Sequence, residues 1–218
     1  MSEHIVAQGE YLSKLARKYG FADLRTIWDH PNNAELKRKR HNPNVLFPGD
    51  KLFIPLRESR EESRPTEKKH RFQLKAEKLR LRIRFLGIDS KPAAGVKVDM
   101  TIDGTITSLT TSGDGNVDEL LSPLAQKGSI QFKDERTPFE QQIPIEVRVG
   151  HLDPIEEESG QRGRLNALGY DAGDPAEAGD ASLALRSAVE EFQCDHGLTV
   201  DGIVGPQTRK KLQDAYGC

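Results

Sequence analysis

The side chains best suited to metal chemistry are spread along the whole sequence. A hydrolytic zinc site needs a clustered set of His, Cys or carboxylate ligands and a general base, as in H-E-x-x-H. The sequence lacks that pattern, and His151 and Asp153 form only an isolated pair. We therefore expect no metal site and no cofactor. The six histidines are His4, His30, His41, His70, His151 and His196.

Two other groupings could serve hydrolysis. Cys194 and His196 flank Asp195, but residues this close on a helix point to different faces and do not form a dyad. The acidic run at 156–158 supplies carboxylates, whereas glycoside hydrolysis needs two that flank a sugar cleft, one of them in an apolar pocket. A solvated run is the simpler interpretation. We expect no catalytic residue, and a hydrolase within residues 71–150 is the least favoured alternative.

Composition indicates several small modules. The chain has 218 residues, of which 35% are hydrophobic and 30% charged, and its net charge of −2 argues against a nucleic-acid binder. No apolar run is long enough to span a membrane, and the first residues lack the basic and apolar regions of a secretory signal. We expect synthesis in the cytoplasm. Cys194 and Cys218 are expected to be free thiols, with a bridge between them as the alternative.

Hydrophobic periodicity divides the chain into four segments and predicts a multidomain α+β protein. Residues 1–56 combine two short strands with helices, the first carrying Leu12, Leu15 and Tyr19 on one face. A helix is expected through residues 34–42, with Asn33 as its cap. Residues 57–70 hold no large apolar side chain and are expected to be a solvated linker.

Residues 71–152 are predicted to form a small β-sandwich. Leu79, Leu81 and Ile83 alternate with arginines, and Asp103-Gly104 is a strong hairpin signal. The arginine face lacks the interleaved aromatics that stack on bases, which favours a solvated face or a contact with an acidic partner. Residues 153–218 are predicted to be helical and carry 13 acidic against 6 basic side chains.

The first segment resembles the LysM domain, a βααβ glycan-binding module. The resemblance rests on "GEYL" at 9–12, Leu15-Ala16, Tyr19, Asn42-Pro43 and "LFPGDKLFIP" at 46–55, with a longer stretch between Tyr19 and Asn42 than is usual. It implies a shallow groove for N-acetylglucosamine-type glycans, in which Tyr11 extends the platform or instead packs the helix start. The groove residues implied are Gly9, Glu10, Tyr11, Leu12, Asn44, Val45, Leu46 and Phe47.

The last segment resembles the three-helix peptidoglycan-binding domain. The matching stretches are "RLNALGY" at 164–170, "AVEEFQ" at 188–193 and "HGLTVDGIVG" at 196–205, followed by Thr208 and Leu212. Gly205 and Pro206 suit the cap and first position of the last helix. The residues that mark this motif are Tyr170, Gln193, Asp201, Gly202 and Gly205.

Together the resemblances imply a non-catalytic protein that binds peptidoglycan glycan chains. The combination of modules resembles accessory proteins of type VI secretion and other contractile injection systems, which would place the protein on a secretion apparatus in the cytoplasm or, after delivery, at a cell wall. The alternative is an adaptor that contacts a spike protein, a baseplate protein or a toxin and retains no glycan binding.

Overall fold

The structure, a computed structural model, describes residues 2–57, 63, 65–71, 78–87, 91–133, 144–174 and 181–217. Within this part of the chain, helices and strands surround three hydrophobic clusters that follow one another in sequence. We call the corresponding segments the N-terminal (residues 2–56), central (78–152) and C-terminal (153–217) modules. None of the helices in the described ranges is long and apolar enough to cross a membrane. Cys218 and the linker residues 58–62 and 64 lie outside these ranges.

The N-terminal module is a two-stranded antiparallel sheet covered by short helices. β1 pairs with β2 in the register Ser2↔Ile54. The helices bury Leu12, Leu15 and Ile27 against the sheet, which removes their apolar surface from water. The elements are β1 (Ser2–Ile5), α1 (Leu12–Lys18), α2 (Arg25–Trp28), a 3₁₀ turn (Pro31–Asn33), α3 (Ala34–Lys39) and β2 (Lys51–Ile54).

Asn33 plays a different part from the one its position predicts. It precedes α3, but its side chain makes no capping hydrogen bond there, and the helix ends at Lys39 rather than at residue 42. The buried Asn33 amide instead donates to the carbonyl oxygens of Ile27 and Phe53 and accepts from the Phe53 N–H, at 2.7 to 2.8 Å. It therefore joins α2 to β2 across the module.

The central module contains two antiparallel sheets that contribute to one hydrophobic cluster. β3 pairs with β6, and the second sheet has the strand order β5-β4-β7-β8. Asp103 and Gly104 both have positive φ and form the β4–β5 hairpin turn that the Asp-Gly pair predicts. The strands are β3 (Leu79–Arg84), β4 (Lys97–Ile102), β5 (Thr105–Thr110), β6 (Asn116–Leu121), β7 (Lys127–Phe132) and β8 (Ile145–Arg148).

The C-terminal module is helical, with α4 (Glu158–Ala167), α5 (Ala181–Asp195) and α6 (Pro206–Tyr216). Leu165, Phe192 and Leu212 lie at the centre of its cluster, one from each helix. Gly205 is the N-cap of α6 and Pro206 its first residue, where the missing proline N–H removes no helical hydrogen bond. Residues 198–205 lie in the loop between α5 and α6 and include Asp201, Gly202 and Gly205 of the predicted motif.

Candidate functional site

Gln193 holds the loop 198–205 in place from the side of α5. Its side chain is 1% exposed, and its amide nitrogen donates to the Asp201 carboxylate, the Ile203 carbonyl and the Thr208 hydroxyl at 2.8 to 3.0 Å. Its amide oxygen accepts from the N–H groups of Asp201 and Gly202 at 2.9 and 3.0 Å. A single buried side chain therefore satisfies polar groups on both sides of the Asp-Gly turn.

The turn itself needs both of its residues. The Gln193 amide and the Ile203 N–H donate to the Asp201 carboxylate, and these hydrogen bonds lower the pKa of Asp201 below its ordinary value. Gly202 has a φ of +69°, and a Cβ there would lie 2.7 Å from Cγ of Arg186 and 2.8 Å from Oε1 of Glu190. A side chain at residue 202 is therefore disfavoured by the left-handed conformation, and it would also require the Arg186 and Glu190 side chains to shift.

The loop presents apolar side chains to solvent on either side of the turn. Val200 is 54% exposed and Ile203 is 65% exposed, whereas Leu198 and Val204 pack into the core. Leu183 is also exposed and lies one helical turn before Arg186 on α5, and Arg186 itself contacts the turn and pairs with Glu190 at 2.9 Å. We call Leu183, Arg186, Val200 and Ile203 the loop–α5 surface.

The motif tyrosine lies in an aromatic group at the end of α5. Tyr170 and His196 both pack edge-on against the buried ring of Phe192. The Tyr170 hydroxyl donates to Asp195 at 3.0 Å, and burial together with this carboxylate raises the pKa of Tyr170 to about 12. Burial and the charge of Lys211 lower the pKa of His196. These contacts fix the ring positions and assign the group a structural role.

The groove residues implied by the LysM resemblance are distributed between the core and the surface of the N-terminal module. Leu12 and Leu46 belong to its hydrophobic cluster, while Val45 and Phe47 are half-buried. The Asn44 side chain accepts from the N–H and hydroxyl of Ser13 at 3.0 and 2.9 Å, which ties the start of α1 to the loop before β2. The two predicted groove walls are therefore adjacent.

Glu10 is held by its own module. Its carboxylate accepts from His4 at 2.6 Å and from the Ala7 N–H at 3.1 Å, and it pairs with Lys18 at 3.2 Å. Burial acts to raise its pKa, but the hydrogen bonds from Ala7, His4 and Lys18 outweigh that effect and lower it. The carboxylate is thus engaged in shaping the loop between β1 and α1.

Gly9 and Tyr11 contact the central module. Tyr11 is 1% exposed, and its hydroxyl donates to the Ala125 carbonyl at 2.6 Å and lies 3.1 Å from the Pro123 carbonyl. Burial and the charge of Asp103 raise the pKa of Tyr11 to about 12. Gly9 is also buried, and a Cβ there would lie 2.8 Å from Nε2 of His151. Neither residue faces solvent.

An ion-pair group that sequence reasoning missed joins the N-terminal and C-terminal modules. Arg40 is almost fully buried, donates twice to Asp50 at 2.9 and 3.1 Å, and donates to Glu157 at 3.2 Å. Its guanidinium also lies over the ring of Phe47. Only the basic run at 37–40 signals this role in the sequence, and such runs are usually solvated.

Sequence patterns also did not predict that the apolar residues of the loop–α5 surface are exposed. A signal for them exists, since Val200 and Ile203 flank an Asp-Gly turn where polar side chains are usual.

Cys194 is exposed on α5. Within the described ranges, no three His, Cys, Asp or Glu side chains are grouped so as to hold a metal ion.

Comparison with known proteins identifies one of these modules. No curated protein and no solved structure matches the chain. The family model described as "Putative peptidoglycan binding domain" matches residues 162–212, a range that contains Tyr170, Gln193, Asp201, Gly202 and Gly205. The C-terminal resemblance is thereby confirmed, and that of residues 1–56 to LysM stays a prediction. The chain contains a region similar to peptidoglycan-binding domains, and that region includes the loop–α5 surface.

Proposed function

We propose that the protein binds peptidoglycan without cleaving it and that the loop–α5 surface makes the contact. The observation that carries the proposal is the family match over residues 162–212, within which Gln193 fixes a loop whose Val200 and Ile203 side chains project into solvent. Val200 and Ile203 are exposed together on one loop inside the matched region, and this grouping favours a binding role.

The chemistry of this surface suits peptidoglycan. The polymer presents methyl groups on its acetyl, lactyl and alanyl units and carboxylates on its peptides. Val200, Ile203 and Leu183 supply apolar contacts for the methyl groups, and the exposed guanidinium of Arg186 supplies donors for a carboxylate. A surface of this kind gives weak binding at a single site, and the many copies of that site on an insoluble polymer raise the bound fraction of the protein by mass action.

Co-sedimentation of the full chain with purified, protein-free sacculi tests the proposal. We expect the double variant Val200→Ser/Ile203→Ser to pellet much less than the unmodified protein, because it removes the outward apolar contacts and leaves the Gln193 network intact. Ile106→Ser is the matched control, since Ile106 is 68% exposed on β5 in another module. Equal pelleting of the double variant and the unmodified protein would exclude the loop–α5 surface, and failure of all three proteins to pellet would exclude wall binding.

We extend the proposal to the setting in which binding occurs. The combination of modules resembles accessory proteins of type VI and related contractile injection systems, and we propose that the protein reaches a cell wall through such a machine.

Constant turbidity of a sacculus suspension containing the protein is expected for a binder, whereas clearing would indicate a hydrolase.

A further inference from the structure

We propose that the loop between β1 and α1 is an intrachain docking surface whose partner is the central module, so that the wall is contacted by the C-terminal module alone. The second part of this statement rests on the proposed function. The docking surface consists of Gly9 and Tyr11, and its partner consists of the carbonyls of Pro123 and Ala125 together with Gly150 and His151.

The first observation is the burial and polar pairing of Tyr11. The phenol ring is not part of the hydrophobic cluster of the N-terminal module, and its hydroxyl donates to the Ala125 carbonyl at 2.6 Å. Ala125 itself belongs to the central cluster and is fully buried. An aromatic side chain with a polar tip is well suited to such a contact, since the ring removes apolar surface from water while the hydroxyl satisfies a carbonyl.

The second observation is that the loop receiving Tyr11 is held in shape independently. The Asp103 carboxylate accepts from the N–H groups of Gln126 and Lys127 at 3.2 to 3.3 Å, and the Ala125 N–H donates to the Ser122 carbonyl at 3.0 Å. The Asp103 side chain in the β4–β5 turn therefore holds the loop whose carbonyls face Tyr11. The central module thus has the required shape before the docking surface contacts it.

The third observation is the close approach of backbone on both sides. Gly150 has a φ of +79°, and a Cβ there would overlap the Tyr11 ring and lie 3.2 Å from the Gly9 carbonyl oxygen. Gly9 has a φ of +78° and leaves no room for a Cβ beside the His151 ring. Each module thus places a glycine where the other module's ring packs, which a fortuitous contact does not require.

A glycan cannot occupy the Gly9–Tyr11 side of the predicted groove while this contact is closed. The Arg40–Glu157 ion pair joins the N-terminal module to the C-terminal one at a second point. The N-terminal module is thereby oriented within the chain, and its residues 9–11 serve the assembly of the protein rather than a sugar.

Hydrogen–deuterium exchange on the full chain tests the docking surface. Tyr11→Phe removes only the hydroxyl, and loss of its hydrogen bond should raise amide exchange at residues 122–127 about fivefold. Tyr170→Phe is the matched control, because the Tyr170 hydroxyl pairs with Asp195 inside the C-terminal module. Unchanged exchange at 122–127 in Tyr11→Phe, or an equal rise in Tyr170→Phe, would overturn the docking surface.

Hydrogen–deuterium exchange in the presence of soluble glycan–peptide fragments released from sacculi tests whether the C-terminal module alone contacts the wall. We expect protection at residues 198–205 and none at 8–12 or 44–47. Protection at 8–12 and 44–47 would overturn the inference. No protection at 198–205, with the Tyr11→Phe response intact, would overturn the proposed function and leave the docking surface standing.

Discussion

Replacement of Gln193 by methionine tests whether one amide holds the loop 198–205. Methionine has a similar length and fills the same buried space, so the substitution removes polar atoms without opening a large cavity. The substitution removes two hydrogen bonds accepted from backbone N–H groups and the two amide N–H donors, which are shared among Asp201, Ile203 and Thr208. The prediction therefore concerns polar satisfaction rather than packing.

The geometry sets the size of the effect. A hydrogen bond contributes a net 0.5 to 1.5 kcal/mol, and bonds that share one group do not add in full. Water can reach the Asp201 and Gly202 amides because the turn is partly exposed, whereas Thr208 is buried and loses its partner without replacement. We expect the C-terminal module to lose about 2 to 4 kcal/mol of stability, toward the lower half of the summed range.

Native-state amide exchange followed by NMR measures this loss where it occurs. The N–H groups of Leu198 and Gly205 donate to backbone carbonyls that the substitution leaves in place, so their exchange reports opening of the loop rather than loss of a direct partner. Gln161→Met is the matched control, because the Gln161 side chain donates to a single carbonyl, that of Ile155. If Gln193→Met changed exchange at Leu198 and Gly205 no more than Gln161→Met does, the assignment of Gln193 as the organiser of the loop would be refuted.

Two further predictions concern buried charge. Arg40→Met leaves the buried carboxylate of Asp50 without its main partner and should cost about 3 to 5 kcal/mol, whereas Lys37→Met, which breaks a half-exposed pair, should cost less than about 1 kcal/mol. Urea unfolding followed by fluorescence of Trp28, the single tryptophan, separates the two outcomes. The lowered pKa of His196 favours its neutral form in the fold, so this contribution to stability is present above pH 6.5 and is lost as the pH falls. The opening free energy of α5, obtained from amide exchange after correction for the pH dependence of the intrinsic exchange rate, should therefore decrease below pH 6.5, and it should decrease less in His196→Gln.

Features that depend on neighbouring residues in the chain were predictable from the sequence. The spacing of Leu12, Leu15 and Tyr19 predicts one apolar face for the first helix, and all three pack in or against the N-terminal cluster. The Asp103-Gly104 pair predicts the β4–β5 turn because its two residues tolerate the positive φ that such a turn requires. In both cases the energetic preference lies within a few residues, so a single sequence contains it.

Features that depend on distant partners were not predictable. Asn33 has the sequence position of a helix cap, but the same side-chain atoms could cap α3 or join α2 to β2 within the N-terminal module. Only the placement of Phe53 decides between the two. Tyr11 presents the same ambiguity. A tyrosine beside a helix start suits a sugar platform, a local packing contact or a contact with another module, and the carbonyls that select among these lie more than a hundred residues away.

A weak contact is sufficient to keep the N-terminal module docked. A short linker between two modules holds them at an effective concentration of about 1 mM. A contact with a dissociation constant of about 0.01 mM would therefore be closed in all but about 1% of molecules, which requires about 7 kcal/mol of net association energy. Tyr11 supplies a buried ring and hydroxyl to the contact with the central module, and Arg40 adds an ion pair with Glu157 of the C-terminal module. Contacts between residues this far apart in the sequence decide how the modules are arranged, which is why the sequence alone did not predict that arrangement.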